Sequence, residues 1–257
     1  METIGLIAAA GQATRLAPLP CSKELFPIGF EPHPETGELH PKPVSKYLLE
    51  LMCEAGARQV YLVIRKGKWD IPQYYGDGSQ LGIDLAYLIM HKPYGPPFSL
   101  DQAYTFVRGK NIVFGFPDIL ISPLDALKTM LAHLQQQQAD VVLGVFPVQH
   151  PYKWDMVALG ENGAVKHIYP KPQQSDLRYG WALACWTPAF TEFMHQHLQQ
   201  VQQQLERPNS MIELGIGAVI QAAIDNGLRV QAVCFDGGSC LDTGTPEDLQ
   251  TAIRSHS

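Results

Sequence analysis

No apolar stretch of this chain approaches the roughly 20 consecutive residues that a bilayer-spanning helix needs, so none of it reads as a membrane segment. The amino-terminal residues carry no basic patch followed by a cleavable apolar region, and the expected location is the cytoplasm. Basic surface is also scarce. A net charge of −6 argues against a broad nucleic-acid face while leaving room for a local basic pocket. Cysteine is sparse: Cys21, Cys53, Cys185, Cys234 and Cys240 show no metal-type spacing. Their odd number favours a reducing compartment over a disulfide framework. Cys21, close to Lys23, reads as a small packing residue before it reads as a reactive thiol. His91, His167, His195 and His197 form no credible zinc set and read as surface or hydrogen-bonded residues.

What is present indicates an ordered globular protein. Apolar residues make up 46% of the chain and charged residues 17%. A length of 257 residues suits one α/β domain with a full core. Residues 4–10 form an apolar run that reads as a buried first strand. Tyr47, Leu48, Leu51, Met52 and Ala55 recur at helical spacing, with Gly56 as a stop. Further strands are expected over 60–64, 85–90, 111–115 and 140–146, and a helix over 123–138. The second half adds short strands near 156–159, 164–168 and 181–186, helices over 188–205 and 211–226, and a strand over 229–235. Strands alternating with helices favour a mostly parallel sheet covered on its faces. Residues 31–43, with four prolines and a Glu-Thr-Gly-Glu turn, read as an inserted surface hairpin. The glutamine runs at 135–138 and 199–204 read as solvated helix faces.

The most informative segment follows the first strand: Ala10-Gly11-Gln12-Ala13-Thr14-Arg15-Leu16-Ala17-Pro18-Leu19, then Ser22-Lys23-Glu24-Leu25-Phe26-Pro27-Ile28. A loop of small residues after a strand lets the backbone approach a phosphate closely. Arg15 and Lys23 add positive charge at short range. Together they point to a nucleoside-triphosphate site. A carboxylate after the strand ending at Gly115, Asp118, lies where open α/β sheets bind ligands. Asp242 stands in Leu241-Asp242-Thr243-Gly244-Thr245-Pro246, which also reads as a helix entry capped by Thr245.

These segments resemble the sugar-phosphate nucleotidyltransferases, the family that includes the glucose-1-phosphate thymidylyltransferases. Its pattern runs approximately G-x-G-T-R-L-x-P-L-T, then P-K ahead of L-x-P-V. Thr14-Arg15-Leu16, Pro18-Leu19, Lys23 and Pro27-Ile28 fit it. Ala13 replaces the second glycine, and the stretch from Leu19 to Lys23 is about two residues shorter than in the family, so the loop is expected to take a different path. Gly76-Asp77-Gly78-Ser79-Gln80-Leu81-Gly82-Ile83 matches a family turn, G-D-G-S-x-x-G-I, and reads as architectural. The resemblance spans most of the chain, from the first strand to Asp242.

The resemblance implies a Rossmann-like, GT-A-like α/β fold: a single domain over 1–257 with a mostly parallel mixed central sheet and helices on both faces. Residues 1–150 would mainly bind the nucleotide and 151–257 the sugar phosphate. It also implies Mg²⁺-dependent transfer of a nucleotidyl group from a nucleoside triphosphate to a sugar-1-phosphate. Arg15 and Lys23 would contact the triphosphate and promote transfer, with Gly11 and Thr14 in the binding loop. Asp118, in a segment that has lost the family's G-D-N surroundings, and Asp242, in its D-T-G-T, would hold the metal. Lys171, in Pro170-Lys171-Pro172, stands where the family's E-K-P lysine binds the sugar phosphate, with Lys166 and Arg178 as rivals. Gln102 and Ala103 retain part of a G-L-A-Q-A loop near the base and sugar. Glu213 retains the first acid of E-L-E-I-T-D, which borders the sugar. Met90-His91-Lys92 occupies the region where pyrimidine-reading members carry a glutamine.

By the same resemblance dTTP or UTP is the favoured donor and glucose-1-phosphate the favoured acceptor. The oligomeric state is not legible in the sequence, although members of the family are often homo-oligomers. Two other readings compete. A nucleotide- or sugar-nucleotide-binding regulatory protein of the same fold would account for the lost glycines and acids. A dinucleotide-binding oxidoreductase would rest on the loop alone, because Gly11 stands without the rest of G-x-G-x-x-G and no ribose-binding acid follows about 20 residues on.

Overall fold

The computed structural model describes residues 1–33, 36–90, 94–205 and 213–256. In chain order it contains β1 (Thr3–Ala8), β2 (Pro27–Pro32), β3 (Leu39–Pro43), α1 (Val44–Glu54), β4 (Gln59–Ile64), α2 (Asp70–Tyr75), β5 (Asp84–Ile89), α3 (Pro96–Asp101), α4 (Tyr104–Val107) and β6 (Asn111–Gly115). There follow β7 (Ile119–Ser122), α5 (Ala126–Gln136), β8 (Val141–Pro147), β9 (Met156–Leu159), β10 (Val165–Tyr169), β11 (Tyr179–Trp186), α6 (Pro188–Leu205), α7 (Ile216–Asp225), β12 (Val230–Cys234), β13 (Ser239–Asp242) and α8 (Pro246–Ser255).

The sheet is mixed and mostly parallel. Its main body runs β5-β4-β1-β6-β11-β8-β12. The pairs β1–β4, β1–β6, β4–β5 and β8–β12 are parallel, and β11 alone in this row runs against its neighbours. β9 and β10 extend one end of β11 as an antiparallel flap. The central strands read as continuous apolar runs because both of their faces are covered. Ile7 packs with α1 and α5 on one side, while Ile4 and Leu6 pack with α3, α6 and α7 on the other. Among the described residues no helix is long and apolar enough to cross a membrane.

The structure departs from expectation in three places. The inserted hairpin is broader than 31–43, since β2 opens at Pro27 and pairs with β3; residues 34 and 35 lie outside the described residues. The helix expected over 211–226 begins at Ile216. Gly215 is extended ahead of it, and the Leu214 N–H donates to the Tyr94 carbonyl at 2.9 Å, tying this strap to the opposite wall; residues 211 and 212 lie outside the described set. The two-stranded ribbon β7–β13 was not foreseen, its strands being only four residues long.

Candidate active site

The loop after β1 and the segments that follow several other strands meet in one cleft of about 710 Å³. Gly11, Thr14, Arg15, Lys23, Asp118, Lys171, Glu213 and Asp242 all line it. The ligand-binding edge of an open α/β sheet lies beyond the carboxyl ends of its strands, and the loops after β1 and β6 are placed there. Ala13 takes the left-handed conformation, φ 54°, which a glycine adopts without steric cost. The amides of Leu16 and Ala17 both donate to its carbonyl and close the loop.

The ribbon β7–β13 brings the two aspartates together. Asp242 pairs with Ile119, the residue after Asp118. The backbone N–H and the hydroxyl of Thr243 each donate to the Asp118 carbonyl at 2.9 Å. Lys23 Nζ then bonds Asp118 Oδ2 at 2.5 Å. Burial alone would lower the lysine's pKa, but the carboxylates of Asp118, Glu24 and Asp242, Asp118 foremost, together outweigh it and raise Lys23 above its ordinary range. Asp242 is shifted upward, first by burial and then by repulsion from Asp118; the Gly244 N–H, Arg15 and Lys23 offset part of that. The site is tight around Gly244, where a Cβ would lie 2.8 Å from Arg15 Nη2 and 2.9 Å from Asp242 Oδ1.

A buried clamp fixes the lysine segment from behind. Asp70 accepts from the Ser22 N–H at 2.6 Å and from its hydroxyl at 2.7 Å. Lys68 donates to both carboxylate oxygens of Glu24, at 2.6 and 2.7 Å. Glu24 is 1% exposed and Lys68 9%. Burial pushes the Glu24 carboxyl up and the Lys68 ammonium down, each partly offset by the other. Lys23, between these two anchored residues, is held toward Asp118. Cys21 is shifted upward by burial, then by Asp70 and Glu24, which suppresses a thiolate there.

The other wall comes from the second half of the chain. Of the three cations weighed for the sugar phosphate, Lys171 lines the cleft, whereas Arg178 pairs with Asp236 at 2.9 Å on an exposed surface and Lys166 is exposed beside Gly160. Gln102 does not line the cleft: it follows α3, its amide turned back toward the Phe98 carbonyl at 3.5 Å, and Ser99 faces the cavity instead. His195 is engaged by Asp101 at 2.9 Å, and His91 lies outside the described residues.

Sequence reasoning missed Arg65, Lys66, Lys153 and Asp155, all of which line the cleft. Arg65 and Lys66 directly follow β4, and that position was a usable signal. Lys153 bonds both carboxylate oxygens of Asp248 at 2.8 Å, at the start of α8, where Thr245 caps the helix as expected. Asp155 immediately precedes β9, and burial raises its carboxyl pKa despite the neighbouring Lys171 and the Trp181 indole. The cleft therefore carries six basic side chains against four acidic ones in a chain of net charge −6. Among the described residues no group of three or more His, Cys, Asp or Glu side chains is disposed to cage a metal. The Asp118–Asp242 pair does fit the way Mg²⁺ is held beside polyphosphates, by one or two carboxylates with water and phosphate oxygens completing the shell.

Residues 4–256 match the family described as Nucleotidyl transferase. A glucose-1-phosphate thymidylyltransferase of Streptomyces antibioticus is 26% identical over 97% of this chain, which spans 65% of that relative's length. One of Neisseria meningitidis serogroup A is 24% identical over 96% of this chain and 80% of its own. A solved UDP-glucose pyrophosphorylase in complex with UDP-glucose superposes with a TM-score of 0.79 at 19% identity, covering 99% of this chain and 98% of the other.

Proposed function

We propose that this chain, which belongs to the Nucleotidyl transferase family, transfers a nucleotidyl group from a nucleoside triphosphate to a sugar-1-phosphate. The observation that carries the reading is the meeting of Arg15, Lys23, Asp118, Lys171 and Asp242, from separate segments, in one cleft. In the transfer an acceptor phosphate oxygen attacks the α-phosphorus. A new P–O bond forms, the α–β bridging bond breaks, and its electron pair leaves with pyrophosphate. No covalent enzyme intermediate is needed, so the protein's task is to align two polyanions and neutralise their charge.

The residues divide that task. The loop from Gly11 to Thr14 receives the triphosphate, with Arg15 and Lys23 as its cations. Lys171 takes the acceptor phosphate on the opposite wall, and Glu213 borders the sugar. Asp118 and Asp242 would hold a Mg²⁺ ion, which supplies electrostatic stabilisation to the phosphoryl oxygens. The relatives' names favour dTTP or UTP as donor and glucose-1-phosphate as acceptor. The carboxylate pair and the phosphate-facing cations together favour an enzyme over a regulatory binder.

The test is a pair of variants. Lys23→Ala and Asp118→Ala should each lower kcat by at least about 10²-fold, the scale of losing one charged stabilising group, with the circular-dichroism spectrum retained. Normal rates in both folded variants would contradict the assignment.

A further inference from the structure

Asp155 is the cleft-lining carboxylate that this mechanism leaves unused. It belongs to the acceptor wall, beside Lys171, whose charge acts on it. Its Oδ2 lies so close to the first turn of α7 that a Cβ at Gly217 would sit 2.3 Å away. The Trp181 side chain, 3% exposed, lies beneath it; its indole N–H is close enough to favour the carboxylate, yet it makes no hydrogen bond of ordinary geometry and is left unpartnered. The carboxylate thus meets the helix turn, the indole and the side chain and backbone of Lys171. A carboxylate taken out of water and given no full set of partners is costly unless a ligand completes it.

We infer that Asp155 sets acceptor specificity by accepting a hydrogen bond from one hydroxyl of the sugar whose phosphate Lys171 holds. A carboxylate accepts and does not donate, so the complementary ligand group must carry a proton. A hydroxyl does so without charge. An ammonium substituent would meet Lys171 beside Asp155 and a cleft with an excess of basic side chains. A deoxy position leaves the carboxylate desolvated and unpaired. The inference rests on the proposed transfer reaction and narrows its acceptor to a sugar-1-phosphate with a free hydroxyl at that position.

The experiment compares glucose-1-phosphate with its 2-, 3-, 4- and 6-deoxy analogues and with glucosamine-1-phosphate, in the wild type, Asp155→Asn and Asp155→Ala. The readouts are kcat/KM for pyrophosphate release and nucleotide affinity by calorimetry. The wild type should lose about 100-fold in kcat/KM on one deoxy analogue, a conservative figure for a site that hydrogen-bonds a substrate hydroxyl. In Asp155→Ala that penalty should shrink to a few-fold, with the acceptor KM raised and nucleotide affinity unchanged. A residue that serves only the fold would not alter discrimination among deoxy analogues. Variants that turn over and keep the full deoxy penalty, or a wild type that prefers the amino sugar, would overturn the assignment while leaving the transferase reading intact. A wild type that releases no pyrophosphate from any donor and acceptor pair would overturn both.

Discussion

Thr243 donates twice to the Asp118 carbonyl, through its backbone N–H and its hydroxyl, each at 2.9 Å across 125 residues of sequence. This contact continues the β7–β13 ladder, and the two together join the first-half aspartate to the second-half one. Thr243→Val keeps the backbone bond and the volume but removes the hydroxyl. It should cost about 0.5–1.5 kcal/mol of stability, read by urea unfolding. It should also lower kcat by up to about tenfold, the factor that 1.4 kcal/mol represents. Unchanged kcat would mean that the aspartates do not depend on this clamp for their placement.

The Glu24–Lys68 pair is buried, so breaking it should cost far more than removing it whole. Lys68→Met leaves Glu24 unpaired in a site where it is 1% exposed and should destabilise the fold by about 3–5 kcal/mol. The double variant Lys68→Met/Glu24→Leu should recover most of that loss, because apolar replacement of a buried pair is often near neutral. Equal losses in the single and double variants, measured by denaturant titration, would contradict the pairing argument.

Much of the cleft was legible because its chemistry sits in short contiguous motifs. Arg15, Lys23, Asp118, Lys171, Glu213 and Asp242, singled out by the loop reading and the family resemblance, all line one cleft. The helix over 188–205 and the strand over 156–159 have the bounds their patterns imply, since each buries one continuous face or run. What escaped depends on contacts distant in sequence. Gln102 was placed by its motif, but the turn of α3 aims Ser99 at the cavity and sends the amide toward Phe98. Asp155 had no motif around it, and its relation to Gly217 and Trp181 exists only after β9, α7 and β11 have packed. α7 starts late, at Ile216, with Gly215 extended as its N-cap and the Leu214 N–H bonded to the distant Tyr94 carbonyl.

Asp155 also has a stability signature. Its folded pKa is raised, chiefly by burial, above the ordinary value of 3.8. A raised carboxyl contributes stability fully below its unfolded pKa and loses it as pH rises through the folded value. Asn at this position stays neutral throughout. The Tm of Asp155→Asn minus that of the wild type should therefore grow as pH rises from about 4 toward neutrality. A difference that stays flat, or shrinks, across that range in thermal melts would contradict the burial of an ionised Asp155. A gain in stability paired with a loss of acceptor discrimination is the expected signature of a group retained for function.

The most direct test of the central claim is pyrophosphate release in the presence of Mg²⁺, with the common nucleoside triphosphates crossed against a panel of sugar-1-phosphates. Release is expected with dTTP or UTP and glucose-1-phosphate, accompanied by formation of the matching sugar nucleotide. Silence across the whole panel, with triphosphate binding intact by calorimetry, would contradict nucleotidyl transfer and favour a protein that binds the nucleotide without turning it over.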